Sequence, residues 1–307
     1  MGTTLRFRRI WSIFILSMLF SVRSRAAAGD PPEFTYHVQA NEVRLTFSAT
    51  DQNHRAVATL KPADFAVVDK ELIVRDFQSF SRADSKKLEI GIVIDLSGSV
   101  APRFRREISD LVDLISQTAG IPEENISIFS FRDSHPALLC SNDCRTSHAA
   151  EQLSRPRPGD LTPLFDTVSF ASDFLAQHAD RDAQKILILI SDGQDSASRA
   201  AFRKSLETAM KQAVQIYGID LNGNTSSQGS AVLFALANQT GGRYFSGARA
   251  PQRAMDEIFQ DFRSSYTITY KVPTSDAGFH ELRILPTHNQ SLEFRSRSGY
   301  YYPDNLH

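Results

Sequence analysis

The chain has 307 residues, 41% of them hydrophobic and 22% charged, which is enough for a buried core with a satellite domain and excludes a disordered or fibrous polymer. Its formal net charge is −1, but five of its 34 basic residues (Arg6, Arg8, Arg9, Arg23, Arg25) stand in the first 28 residues with no acid among them, so the remainder carries 29 bases against 35 acids. That balance excludes a general nucleic-acid binder. Two cysteines, Cys140 and Cys144, are too few for a disulfide-dense scaffold and too close in sequence to tie distant parts together.

Arg6, Arg8 and Arg9 precede an apolar run from Ile10 to Val22, and Ala26, Ala27 and Ala28 follow it. These are the three regions of a secretory signal, so residues 1–28 are expected to act as a signal peptide, with cleavage after Ala26 or Ala28. The run is shorter than the roughly 20 residues that span a bilayer. Export to the periplasm, the cell envelope or the medium is therefore expected. Arg23 and Arg25 leave one alternative open, an uncleaved segment acting as a membrane anchor. No cysteine follows the run, which excludes a lipoprotein anchor.

From Phe34 to Phe80 apolar residues alternate (Val43, Leu45, Phe47; Phe65, Val67), interrupted by Asp51-Gln52-Asn53 and Asp69-Lys70, a pattern that predicts short antiparallel strands in a unit spanning residues 30–86. At Leu88 the pattern changes. Leu88 to Ile94 is an almost unbroken β-branched run, as in a strand covered on both faces. Ile126–Phe131, Ile186–Ile190 and Val214–Ile219 repeat it, separated by helical stripes such as Leu164, Val168, Ala171, Leu175 and a second containing Leu111, Leu114 and Ile115. Buried strands alternating with helices predict a mainly parallel, Rossmann-like α/β domain over residues 87–262. After Phe262 alternation returns (Tyr266, Ile268, Tyr270; Leu282, Ile284; Leu292, Phe294), predicting a second β unit over residues 263–304. The economical arrangement packs the two β units as one small β-sandwich with the α/β domain inserted between them.

The first buried strand ends in Asp95-Leu96-Ser97-Gly98-Ser99, placing an acid and two hydroxyls at the carboxyl end of a parallel strand, where open α/β sheets bind ligands. A D-x-S-x-S string occurs by chance in about one chain in twelve of this length, but directly after a buried strand in only roughly one in a thousand. Thr162, before Pro163 at a helix start, and Asp192, just past another buried strand, add two oxygen donors at positions of the same kind. Asp95, Ser97, Ser99, Thr162 and Asp192 together offer three neutral hydroxyls and two carboxylates with no soft ligand. Such a set suits magnesium or manganese, with calcium also admitted, holding some of its water. An open coordination position would accept an acidic side chain from a protein partner.

These residues resemble the von Willebrand factor type A (VWFA) domain, whose metal-ion-dependent adhesion site (MIDAS) uses a D-x-S-x-S motif, a later Thr and a later Asp. The resemblance covers about Leu88 to Phe262, and Thr240-Gly241-Gly242-Arg243-Tyr244-Phe245 is similar to a segment of bacterial members. Leu60-Lys61-Pro62-Ala63-Asp64-Phe65-Ala66-Val67 and Arg297-Ser298-Gly299-Tyr300-Tyr301 resemble the flanks of secreted bacterial VWFA-related proteins. Gly159-Asp160-Leu161-Thr162 departs from the family's usual Gly-Gly-Thr. The resemblance implies metal-dependent protein binding without catalysis. The rival reading is a structural envelope component whose metal only staples loops.

Plainer roles stand beside these. Thr162 also reads as a cap for the helix entered at Pro163, Asp166 as a first-turn acid favoured by the helix dipole, and Asp195 as a solvated loop acid. Ser97 lacks both the glycine setting of a nucleophile elbow and a histidine nearby in sequence, which speaks against hydrolysis. His135, Cys140, Cys144 and His148 have the spacing H-x4-C-x3-C-x3-H, open to zinc, but an oxidising compartment favours a Cys140–Cys144 disulfide shaping a surface loop. Arg103, Arg105 and Arg106 read as a solvated helix face, or as a field steering an acidic partner. Tyr300-Tyr301-Tyr302 reads as a strand end packed in the sandwich.

Overall fold

The computed structural model describes residues 42–83, 86–97, 125–132, 135–142, 144, 161–180, 182–222, 226–246, 251–288 and 291–303. The expected signal segment, the Phe34–Asn41 part of the first β unit, Ser99, the helical stripe containing Leu111 and the Arg103–Arg106 cluster lie outside them.

Four strands come first: β1 (Glu42–Thr50), β2 (Phe65–Asp69), β3 (Leu72–Val74) and β4 (Ser79–Arg82). The α/β part follows as β5 (Leu88–Ile94), β6 (Ile126–Arg132), β7 (His135–Ser141), α1 (Leu164–His178), β8 (Gln184–Ser191), α2 (Phe202–Lys211), β9 (Val214–Asp220), α3 (Gln228–Thr240), β10 (Tyr244–Phe245) and α4 (Pro251–Ser264). The last strands are β11 (Tyr266–Lys271), β12 (Gly278–Pro286), β13 (Glu293–Ser296) and β14 (Gly299–Tyr302).

The central sheet has the order β10-β9-β8-β5-β6-β7, parallel except for the β6–β7 pair. Every residue of β5 is buried, because helices cover both faces. Ile90, Ile92 and Ile94, aligned with Ile186, Ile188 and Ile190, pack under Ala254, Met255, Ile258 and Phe259 of α4. Val93, Leu187 and Leu189 face the other way, against Leu164, Val168, Ala171 and Leu175 of α1 and Leu233 and Leu236 of α3. The stripe read on α1 is thus its buried face.

The flanking strands form two four-stranded sheets, β13-β1-β11-β4 and β14-β12-β2-β3. Each mixes strands from both ends of the chain: β1 pairs with β11, and β2 with β12. Their inner faces share one core of Leu45, Phe47, Phe65, Val67, Tyr266, Ile268, Tyr270, Leu282 and Tyr300. The expected sandwich exists, and it is built because neither half alone has a second apolar face to cover its own. Tyr300 and Tyr302 are buried in it.

Two strands were not read from the sequence. β7 is an edge strand containing Pro136, and β10 is two residues long. The cysteine pair is placed differently from the expected surface loop. Cys140, next to last in β7, forms a disulfide with Cys144, both are buried, and both belong to the apolar cluster beneath α4. The bridge therefore pins the edge strand, and with both thiols consumed the zinc reading fails.

A polar cluster joins the sandwich to the α/β part. Asp261 of α4 accepts hydrogen bonds from the Tyr217 hydroxyl (2.7 Å) and the Ser48 hydroxyl (3.2 Å), and it pairs with the Arg295 guanidinium. Arg295 also donates to the Gly241 carbonyl (2.6 Å). Gly241 ends α3 with φ 83°, and a Cβ there would lie 2.5 Å from the Arg297 nitrogen, so the left-handed turn and the close approach both require glycine.

Candidate metal centre

Asp95 follows β5 directly, and its amide donates to the Ile190 carbonyl (2.9 Å), continuing the parallel ladder to the point where β8 ends in Ser191. Asp192 comes next. The two carboxylates consequently stand on adjacent strands at the same carboxyl edge of the sheet. Asp95 is fully buried; Asp192 and Ser97 are buried as well.

The Asp95 carboxylate accepts the Ser97 amide (2.9 Å) and the Ser191 hydroxyl (2.6 Å), and the Ser97 hydroxyl reaches it too. Among the described residues no Lys or Arg pairs with it. Burial pushes its pKa up, the hydrogen bonds from Ser191 and Ser97 pull it partly back, and the nearby Asp192 charge raises it further. Two acids sharing one dehydrated rim repel each other, and an external cation relieves that repulsion.

Ser191, which sequence reasoning passed over, orients the site. Its hydroxyl donates to Asp95 and accepts the Gly193 amide (2.9 Å). Gly193 turns the chain at φ 76°. A Cβ on it would lie 2.1 Å from the Gly229 carbonyl, and a Cβ on Gly229 would lie 2.1 Å from the Asp192 carbonyl. The start of α3 thus packs backbone to backbone against the Asp192 loop. The Ser191-Asp192-Gly193 string was visible in the sequence, but only the acid stood out.

Thr162 reaches the same loop from another side. Its amide donates to the Ser196 hydroxyl (2.9 Å), and its carbonyl accepts the Ser196 amide (3.0 Å). The helix begins at Leu164 with Pro163 at the cap and no side chain capping it from that position, so Thr162 is not its cap. The free amides of the first turn go elsewhere: Phe165 to Asp195 (3.2 Å) and Asp166 to the Ser198 hydroxyl (3.0 Å). Asp195, read as a solvated acid, is a half-buried helix partner instead, and its other contact is the Ser198 hydroxyl (2.5 Å). Asp166 accepts the amides of Arg199 and Ala200, both at 2.9 Å.

The structure therefore brings Asp95, Ser97 and Asp192 to one edge and ties Thr162 to the loop that carries Asp192. Leu161, about half exposed, stands beside Thr162. Among the described residues no group of three or more His, Cys, Asp or Glu side chains is placed to hold a metal. An ion at this edge would take hydroxyl and water oxygens along with the two carboxylates, a hard-cation donor set.

Residues 90–194 match the family model of the von Willebrand factor type A domain. The chain carries a VWFA domain, in the α/β segment that begins at β5. Among curated proteins it is similar to the magnesium-chelatase 67 kDa subunit of Chlorobaculum parvum, at 27% identity over 171 residues, 50% of this chain and 27% of that protein. The match thus spans about a quarter of that relative's length. Among solved structures it is similar to an aerotolerance-related membrane protein from Bacteroides fragilis, at 14% identity and TM-score 0.42, covering 57% of this chain and 98% of that one. It is also similar to proximal thread matrix protein 1 of the mussel byssus with a zinc-occupied MIDAS motif, at 13% identity and TM-score 0.43, covering 63% and 49%.

Proposed function

We propose that this is an exported, non-catalytic binding protein that recognises a protein partner through a divalent cation held by Asp95, Ser97, Ser99, Thr162 and Asp192. The carrying observation is the buried Asp95 carboxylate at the carboxyl edge of the sheet, which has Asp192 for a neighbour and takes hydrogen bonds from a hydroxyl and an amide but, among the described residues, no Lys or Arg. Magnesium or manganese would supply that charge, and its open position would take an acidic side chain of the partner. In this reading residues 1–28 direct export, and the segments 30–86 and 263–304 form the base that carries the binding domain. No helix among the described residues is long and apolar enough to cross a membrane.

The loop-staple rival is weakened by the hydrogen bonds already in place. Thr162 to Ser196, Asp195 to Phe165 and Asp166 to Arg199 hold these loops together through protein atoms alone. Hydrolysis is disfavoured because the Ser97 hydroxyl is directed at Asp95, and the one histidine buried among the described residues, His280, lies within the sandwich.

The test is a pull-down from envelope extract with and without chelator, comparing the wild type with Asp95→Ala/Ser97→Ala. A partner captured only with metal, and lost by at least about tenfold in the variant, supports the reading. Full capture by the folded variant removes it, and global unfolding of the variant favours the staple.

A further inference from the structure

The β14-β12-β2-β3 sheet ends in a strand with a free edge. β2 and β3 are joined by the two-residue turn Lys70-Glu71, with φ 47° and 69°, so Asp69 and Leu72 are the hydrogen-bonded pair that closes it. Ile73, opposite Val68, is then a non-bonded position, and its backbone N–H and C=O point away from β2. Among the described residues no strand pairs with that edge.

Leu72 is 48% and Ile73 65% exposed, and as successive residues they lie on opposite faces of the strand. β3 is Leu72-Ile73-Val74, without the proline or charge that blunts an edge. Two other edge strands of the sandwich are covered: Arg82 of β4 donates to the Ala58 and Arg263 carbonyls, and Lys211 of α2 lies over the Tyr301 ring of β14.

The charges around β3 say what fits it. The run is Lys70-Glu71-Leu72-Ile73-Val74-Arg75-Asp76. Turned antiparallel on itself about Ile73, it sets Glu71 against Arg75 and Leu72 against Val74, while the outward backbone groups of the two Ile73 residues meet. A shift of two residues either way sets Ile73 against Glu71 or Arg75, so charge and apolar contact select the same register. Lys70 is engaged by Asp276 at 2.8 Å, whereas Glu71 and Arg75 have no ion pair among the described residues.

We propose that β3 pairs antiparallel with β3 of a second copy of this chain, about a two-fold axis at Ile73, joining two four-stranded sheets into one of eight. Both exposed apolar side chains are covered by the pairing, one on each face. The contact is separate from the metal edge.

The test is sedimentation equilibrium of the full chain from about 1 μM to 1 mM, with chelator present throughout so that the metal edge plays no part. A monomer–dimer equilibrium is expected, unchanged in Asp95→Asn. Glu71→Arg and Arg75→Glu each set like charges opposite one another at both ends of the pairing and should raise the dissociation constant at least about tenfold, as should Ile73→Lys. An equimolar mixture of the two charge variants should recover the wild-type constant, because each supplies the charge that the other needs. Association through another surface, such as the apolar run Ile10–Val22, would not respond to this exchange. A wild type that stays monomeric, charge variants that associate as the wild type does, or a mixture no tighter than either variant alone overturns the proposal.

Discussion

Asp261 and Asp95 are both buried carboxylates of the α/β part, and the chain treats them in opposite ways. Asp261, at the junction with the sandwich, receives the Arg295 guanidinium along with Tyr217 and Ser48. Asp95, at the far edge, receives among the described residues Ser97 and Ser191 and has Asp192 for a neighbour. Where the protein provides its own cation, the carboxylate locks two layers together. Where it provides hydroxyls and a second acid, the proposed function has a cation from outside supply the missing charge. Burial and hydrogen-bond count do not separate the two; the sign of the nearest charge does.

The largest effect that can break this comparison is on the Asp261 side. Arg295→Met should strand a buried carboxylate and cost about 3 kcal/mol of folding stability by urea denaturation. A loss below about 1 kcal/mol would mean that Tyr217 and Ser48 suffice, and the contrast with Asp95 would fall. On the other side, Asp95→Asn keeps the shape of its hydrogen-bonding group and should change metal-free stability by less than about 1 kcal/mol. It should, however, abolish stabilisation by manganese, which in the wild type reaches about 2.7 kcal/mol when the ion stands at a hundred times its dissociation constant. Thermal melts with and without manganese measure both; equal manganese stabilisation of the variant would place the ion elsewhere.

One substitution made at each end sharpens the point. Gly241→Ala and Gly193→Ala each force a left-handed residue and a backbone clash, and each should cost about 1 to 3 kcal/mol. Only Gly193→Ala should also lose the manganese response, since it displaces the Asp192 loop. Cys140→Ser/Cys144→Ser should cost about 1 to 2 kcal/mol for so short a loop and leave the manganese response intact. Loss of that response would tie the edge strand β7 to the metal edge.

The buried parallel strands and the α1 stripe were legible because solvent exclusion on both faces of a sheet, or on one face of a helix, leaves a periodic mark in the residues themselves. The D-x-S-x-S string was legible because it immediately follows such a strand. β7 left no such mark: an edge strand needs one covered face, and His135-Pro136-Ala137-Leu138 reads as readily as a loop. Asp195 and Asp166 could not be ranked from sequence, since what separates a solvated acid from a helix partner is the return of a loop thirty residues away. The Arg295–Asp261 pairing, between residues on different layers, was equally invisible. Ser99 and the helix expected after it lie outside the described residues.

The way the two ends of the chain share the sandwich also dictates an order of folding. The Thr46 and Thr267 hydroxyls meet at 3.2 Å across 221 residues, a contact whose closure in an unfolded chain is slow and entropically costly. The α/β part needs no such contact, and once formed it brings its own ends together, the Ala83 amide donating to the Ser265 carbonyl at 2.8 Å. Its completion turns a loop of nearly two hundred residues into a short bridge, after which β1 and β11 are close enough to zip. In a chain synthesised from its amino end, β1 and β4 emerge early and have to wait unpaired, and β2 and β3 as a lone hairpin, until the last forty residues arrive. These early strands are therefore where a folding chaperone would be needed, and where mispairing between neighbouring chains would begin.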